Sequence, residues 1–288
     1  GQFERAVGWF RPTQSTPDFI HRCSNGIVSV PSNFMGYQEP YHGNGYANVF
    51  MAEWDDEGEY VAFEYIRTTL KVPLKPCVKY RFSMYVSLAN RSTHGVGMIG
   101  ALFTEENDFT QTETALNKNP QYVYDGIPII DTSNWTKVEG EFVASGFEQY
   151  LTIGYFRNTV EMDTLFLDDP GIYSFAAYHI DSISLYEAGI VSEEICDAGD
   201  LSFPNIITAN SDDTNDLLDA SSYFAITDEI VILNRWGNVI TVLSEDNPIW
   251  DGTTTNGKKC TEGAYFYKFD YQWGSQIKHK SGFIHLVR

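Results

Sequence analysis

The chain has little positive charge, few cysteines and no long apolar run. Its 288 residues hold 19 lysines and arginines against 39 aspartates and glutamates, a formal net charge of -20. Like charges repel, so association with a nucleic-acid backbone or an anionic lipid surface is disfavoured, while cationic partners and divalent metals stay open. No stretch reaches the roughly 20 apolar residues of a membrane-spanning helix. Gly1 to Phe10 lack the charged-then-apolar pattern of a secretion signal, so the expectation is a soluble chain in mature form, any signal already removed.

Catalytic patterns are missing as well. His21, His42, His94, His179, His279 and His285 show no HExxH or comparable metal spacing, no GxSxG elbow surrounds a serine, and no glycine loop suited to phosphate follows a strand. Carboxylates do occur side by side, at Glu105 and Glu106, at Asp168 and Asp169, and from Asp55 to Glu59. Neighbours on a strand point to opposite faces, however, whereas a glycosidase needs two carboxylates facing one cleft. No catalytic residue is assigned, and a non-enzymatic protein is expected.

Four cysteines, Cys23, Cys77, Cys196 and Cys260, form no CxxC or Cys/His zinc spacing. Three disulfide pairings are open. Cys23 with Cys77 and Cys196 with Cys260 is the preferred one, since each bridge then closes within one domain, and free buried thiols are the alternative.

What the sequence does hold is aromatic and alternating. Hydrophobic residues make up 43%, with 18 Tyr, 19 Phe and 6 Trp, a composition that favours strands and a folded core. The length suits two domains. The acidic stretch "EAGIVSEEICDAGD" separates two patterned regions, giving residues 1–188, a linker at 189–201, and 202–288. In the first region "YVAFEYI", "KYRFSMYVSLA", "VGMIGALFT", "TKVEGEFVA", "YLTIGYFR" and "YHIDSISLYE" are predicted strands. Tyr80, Phe82, Met84, Val86 and Leu88 share one face, and Arg81, Ser83 and Ser87 the other. The fold class is all-β: a two-sheet sandwich with Glu105 to Thr132 as a loop or lid, then a small second sandwich. In the latter "RWGN" and "TTNGK" are turns, and "GAYFYKFDY" a strand buried on one side and partly on the other.

Two binding chemistries follow from residue types. Trp54, beside Asp55, Asp56 and Glu57, together with Tyr122 and Tyr124, is a candidate sugar-binding surface: aromatic faces stack on a sugar ring and polar groups take its hydroxyls. Core packing is the competing reading. Asp212, Asp213 and Asp216 form an oxygen-rich loop suited to a structural calcium, although without EF-hand spacing; an Asx-turn loop is the alternative.

The first region resembles the jelly-roll modules of the galactose-binding-like and carbohydrate-binding superfamily, especially those of exported Bacteroidetes-type proteins. The likeness rests on "PYHGNGYANVF", "LKVPLKPCVKYRFSMYVSLAN" followed by "IGALFT", "NWTKVEGEFVA" and "HIDSISLYE", and it covers residues 9 to 187. It implies a fold and leaves the ligand open.

In the last quarter "FPNIITANSDDTND", "ILNRWGNVI", "IWDGTTTNGKKCTEGAYFYKF" and "GFIHLVR" together resemble the gliding motility-associated C-terminal domain, the type B sorting domain of type IX secretion substrates. The family's Thr-Pro-Asn-Gly-Asp-Gly core is replaced here by Thr208, Ala209, Asn210, Ser211, Asp212 and Asp213. By motif match, Asn234, Arg235, Trp236, Gly237, Trp250, Asp251, Gly252, Gly263, Tyr265 and Arg288 are the family positions. The resemblance implies export through the type IX translocon and retention at the outer-membrane surface by barrel partners of the PorP and SprF type. It also implies a role in adhesion or gliding, with a surface adhesin or a glycan as further partner. Two readings of the motif positions stay open: residues that hold turns and core, or a surface that the exporter reads. The strand ending at Arg288 is expected to offer a sheet edge for strand addition.

Overall fold

The computed structural model describes residues 3–55, 57–58, 60–124, 126–156, 164–167, 174–191, 201–210, 212, 214–273 and 276–288. Cys196, Asp213 and positions 192–200 of the expected linker lie outside them. The described residues are β throughout apart from short 3-10 helices at Phe3–Arg5 and Ser221–Ala225. They divide into two compact units, residues 1–71, 79–142 and 148–188, and residues 72–78, 143–147 and 189–288.

The first unit is a two-sheet sandwich. One sheet orders the strands Trp9–Phe10, Ile66–Thr69, Tyr150–Tyr155, Ile99–Thr104 and Tyr122–Val123; the other orders Thr136–Val143, Val78–Leu88, Ser174–Ile190, Gly45–Trp54 and Asp18–His21, with Tyr60–Ala62 also on Gly45–Trp54. Alternation fills the core as predicted. Tyr80, Phe82, Met84, Val86 and Leu88 are all buried, opposite Ile99, Ala101, Phe103, Leu151 and Ile153 of the other sheet, and Phe82 meets Phe103 edge-on at 6.2 Å. Each such side chain contributes about 1.5–3 kcal/mol of burial.

Ser83 and Ser87 point away from that core, yet they too are buried. Ser87 Oγ accepts from Gln38 Nε2 at 2.6 Å, and Ser83 Oγ lies 2.9 Å from Ser184 Oγ. The segment preceding Gly45 covers this part of the outer face, and its own Val28, Val30 and Met35 are buried. Asn48 and His179, directly opposite each other in register, are buried on this sheet with side-chain nitrogens and oxygen unpaired.

Two expected strands are each split. "YVAFEYI" becomes Tyr60–Ala62 and Ile66–Thr69, because the chain leaves one sheet and enters the other between them. The crossing is pinned by Glu64, whose Oε2 accepts the Phe50 N–H at 2.8 Å, and by Ser15 Oγ donating to Phe63 O at 2.5 Å. "VGMIGALFT" breaks into His94–Val96 and Ile99–Thr104 at Met98, whose φ is +61°. The expected lid is a cover over the outer face of the five-stranded sheet. Leu116 N donates to Tyr65 Oη at 2.8 Å, and buried Arg67 donates to Thr152 Oγ1 and to Asp108 O, each at 2.7 Å.

The second unit is built on the five-stranded sheet Ile206–Thr208, Gln276–Val287, Gly263–Trp273, Ile230–Leu233, Val239–Leu243, with a two-stranded ribbon of Leu218–Asp219 and Ile249–Trp250. In Gly263–Trp273, Tyr265, Tyr267, Phe269, Tyr271 and Trp273 are buried in the core. The other face is open rather than partly covered: Phe266, Lys268, Asp270 and Gln272 are exposed. The expected free edge near Arg288 is occupied, because Ile206–Thr208 pairs in parallel with His285–Val287. The ends of the expected linker belong to the fold as well: Val191 N donates to Cys77 O at 3.0 Å, and Leu201 joins the core of this unit.

The preferred disulfide pairing is overturned. Cys23 and Cys260 are free thiols, and each expected bridge requires one of them. The assumption of closure within a domain misplaced Cys77, which folds with the second unit while Cys23 belongs to the first.

Candidate functional site

The family positions gather at one end of the second unit. A hairpin turn at residues 234–238 is tied by Asn234: its N–H donates to Asn238 O at 2.9 Å, and its Oδ1 accepts from Trp236 N at 2.9 Å and Asn238 N at 3.0 Å. Gly237 takes the left-handed φ of +80° that closes the turn. The result is to display Trp236, which is 78% exposed, instead of burying it.

Trp250 has the opposite fate. It is 2% exposed, its indole N–H donates to Thr253 O at 2.8 Å, and its ring lies edge-on to Tyr265 at 5.2 Å. Asp251 Oδ1 accepts from Thr253 N at 3.0 Å and Thr253 Oγ1 at 2.6 Å, an Asx turn that leads into Gly252 at φ +75°. Gly252 O accepts from Cys260 N and from Arg288 Nη2, both at 2.9 Å, while Arg288 N donates to Glu262 Oε1 at 3.1 Å. Arg288 is thus a clamp across the turn, its Nε buried without a partner. Burial pushes the nearby Cys260 thiol pKa up.

Asn234, Arg235, Trp236, Gly263 and Tyr265 line one cavity of about 260 Å³, together with Lys258, Lys259 and Glu262. Residues 254–261 are brought to the turn by Thr255, whose N–H and Oγ1 both reach Ile240 O at 3.1 Å. Gly263, at φ +136°, lies under Arg235: a Cβ there would sit 3.2 Å from Arg235 Nη2. Lys258 ends the turn read as TTNGK and Lys259 follows it, and nothing local marks either as a neighbour of Arg235.

The first unit places the expected sugar-binding residues on separate elements. Trp54 packs on His94 at 4.6 Å, and His94 meets Phe166 at 5.3 Å. Tyr122 lies against Gly140, where a Cβ would come within 2.1 Å of the ring, and donates to Glu139 O at 3.0 Å. Tyr124 donates to Ile127 O at 3.1 Å. A different aromatic surface lies elsewhere on this unit. Tyr41 stacks on Tyr85 at 3.6 Å, and Trp135 stands edge-on to Tyr41 at 6.3 Å with its N–H on Glu39 O at 2.9 Å. The Lys79–Glu141 and Lys137–Glu139 pairs, 3.4 and 2.7 Å, and Arg81 on Glu141 lie on Val78–Leu88, which carries Tyr85, and on Thr136–Val143, which Trp135 precedes. Tyr85 has the parity of Arg81, so alternation alone could have found it; Tyr41 and Trp135 gave no such signal.

Asp212 Oδ1 accepts from Thr214 N and its Oδ2 from Asn210 Nδ2, both at 2.9 Å, an Asx-turn arrangement. Among the described residues no three acidic, histidine or cysteine side chains converge to hold a metal. Nor, among them, is any helix long and apolar enough to cross a membrane.

Residues 201–286 match the family model of the CHU_C type IX secretion signal domain, which marks the chain for export by the Bacteroidetes type IX system to the cell surface. No curated protein matches the chain. Among solved structures it is similar to the CBM22-1–GH10 modules of xylanase 10B from Clostridium thermocellum complexed with xylohexaose, at 14% identity and TM-score 0.37, over 66% of this chain and 27% of that one. It is also similar to the CBM22-1 xylan-binding domain of Xyn10C from Paenibacillus barcinonensis (14%, TM-score 0.34, 64% and 88%) and to the K2 cleaved adhesin domain of Lys-gingipain (11%, TM-score 0.28, 62% and 97%). The chain thus spans about a quarter of the xylanase structure.

Proposed function

We propose that this chain is a non-enzymatic surface protein in which the second unit acts as export and attachment signal and the first unit binds a glycan. The half-exposed cluster of Tyr41, Tyr85 and Trp135 carries the glycan reading. Rings held in fixed orientation stack on a sugar's C–H face at small entropic cost, and adjacent charged groups take its hydroxyls. Attachment through an outer-membrane barrel of the PorP and SprF type, and an accessory or adaptor role beside a surface adhesin in a gliding or adhesion complex, complete the proposal.

Affinity electrophoresis against a panel of soluble polysaccharides tests the first half. Retardation by at least one glycan, lost in Tyr41→Ala and Tyr85→Ala variants that melt like the parent, is expected; no retardation by any would overturn it. Pull-down from cell envelopes with and without residues 202–288 tests the second. Barrel or adhesin recovery that does not depend on those residues would count against attachment. A glycan-binding protein released wholly into the medium would instead serve polysaccharide capture.

A further inference from the structure

The chain carries far more acid than base, yet Arg235, Lys258 and Lys259 converge on one cavity of about 260 Å³. All three are exposed, and among the described residues none of them is in an ion pair. Glu262 is the one carboxylate among the lining residues, its Oε1 taking the Arg288 N–H, so the lining holds three cations against one anion. This excess of two positive charges costs repulsion, which an anionic ligand would relieve. The displayed indole of Trp236 lines the same cavity, on a turn whose hydrogen bonds hold it outward.

We propose that this cavity binds an acidic peptide segment of a protein partner. Carboxylates would engage the fork of Arg235 and the two ammonium groups, and an apolar side chain would pack on Trp236. An anionic membrane offers the same charge, but over a wide surface it meets the repulsion of the whole -20 chain. A peptide brings its charge locally. The proposal rests on the export and attachment reading only for where the partner acts, not for the binding chemistry.

Fluorescence anisotropy of the intact chain with a labelled hexaglutamate–leucine peptide tests it, with the glutamine counterpart as control. Binding roughly tenfold or more tighter to the acidic peptide is expected, weakening with salt. The triple variant Arg235→Gln, Lys258→Gln, Lys259→Gln should lose that preference while melting like the parent, and Trp236→Ala should weaken binding several-fold. Equal affinity for the two peptides, an unaffected triple variant, or preference for phosphatidylglycerol vesicles would overturn the assignment. In cells the two readings separate: export lost on deleting 202–288 but normal surface retention in the triple variant sinks the cavity alone. Export unchanged by the deletion sinks the signal reading.

Discussion

Trp250 meets Tyr265 edge-on, ring centroids 5.2 Å apart at 65°, inside the core of the second unit. Trp236, in the same family motif, stands 78% exposed. Truncation should therefore separate them. Trp250→Ala is expected to cost about 3–5 kcal/mol, enough to lower the second unit's calorimetric transition sharply. Trp236→Ala should stay within about 0.5 kcal/mol of the parent. Equal destabilisation by the two changes would contradict their placement.

Gly252 and Gly257 make a matched pair, with φ of +75° and +73°. A Cβ on Gly252 would reach 2.9 Å from Leu286 Cδ1, whereas one on Gly257 meets nothing within 4 Å. Gly257→Ala should cost only the left-handed backbone penalty, about 1–2 kcal/mol. Gly252→Ala should cost more, because Leu286 and Arg288 must also shift. Thermal melts of the two variants measure the difference directly.

Stability should peak in mildly acidic solution. Burial, helped by the charges of Asp18 and Glu53, pushes the Glu64 carboxyl up from 4.5 to about 8. The unfolded chain gives up that proton earlier, so Glu64 favours the fold below about pH 4.5 and its contribution is lost as pH rises toward 8. Burial also pulls His179 from 6.5 down to about 3, so it favours the fold above 6.5 and its contribution is lost as pH falls toward 3. Their slopes oppose each other between about 4.5 and 6.5, which places the maximum there. Glu64→Gln should flatten the alkaline limb of a melting-temperature profile, and a limb unchanged by that substitution would refute the assignment.

Thiol chemistry should follow exposure. Cys23 is exposed and free, so iodoacetamide should modify it in the native protein; Cys260 is free but buried and should react only after denaturation. Mass mapping of alkylated peptides before and after guanidinium treatment distinguishes the two.

Alternation made the sandwich legible, since Tyr80 to Leu88 place their side chains by period two whatever their neighbours. The crossing at Phe63 to Tyr65 was hidden because an aromatic-rich stretch looks the same within one sheet as across two, and Glu64 reads as an outward-facing strand residue. Nor could local pattern separate Trp236 from Trp250, each followed closely by a glycine: burial depends on which partner strand lies over the ring. The cations at 235, 258 and 259 are distant in sequence and meet only because Thr255 docks on Ile240.

The parallel pairing of Ile206–Thr208 with His285–Val287 has a consequence for recognition. It joins the two extremes of the signal domain, and Arg288, one residue beyond, clamps the turn at Gly252. A partner that engages this end thus meets a shape that exists only once distant segments have come together. On the attachment reading proposed above, an unfolded or truncated chain lacks that shape, and recognition of it would double as quality control.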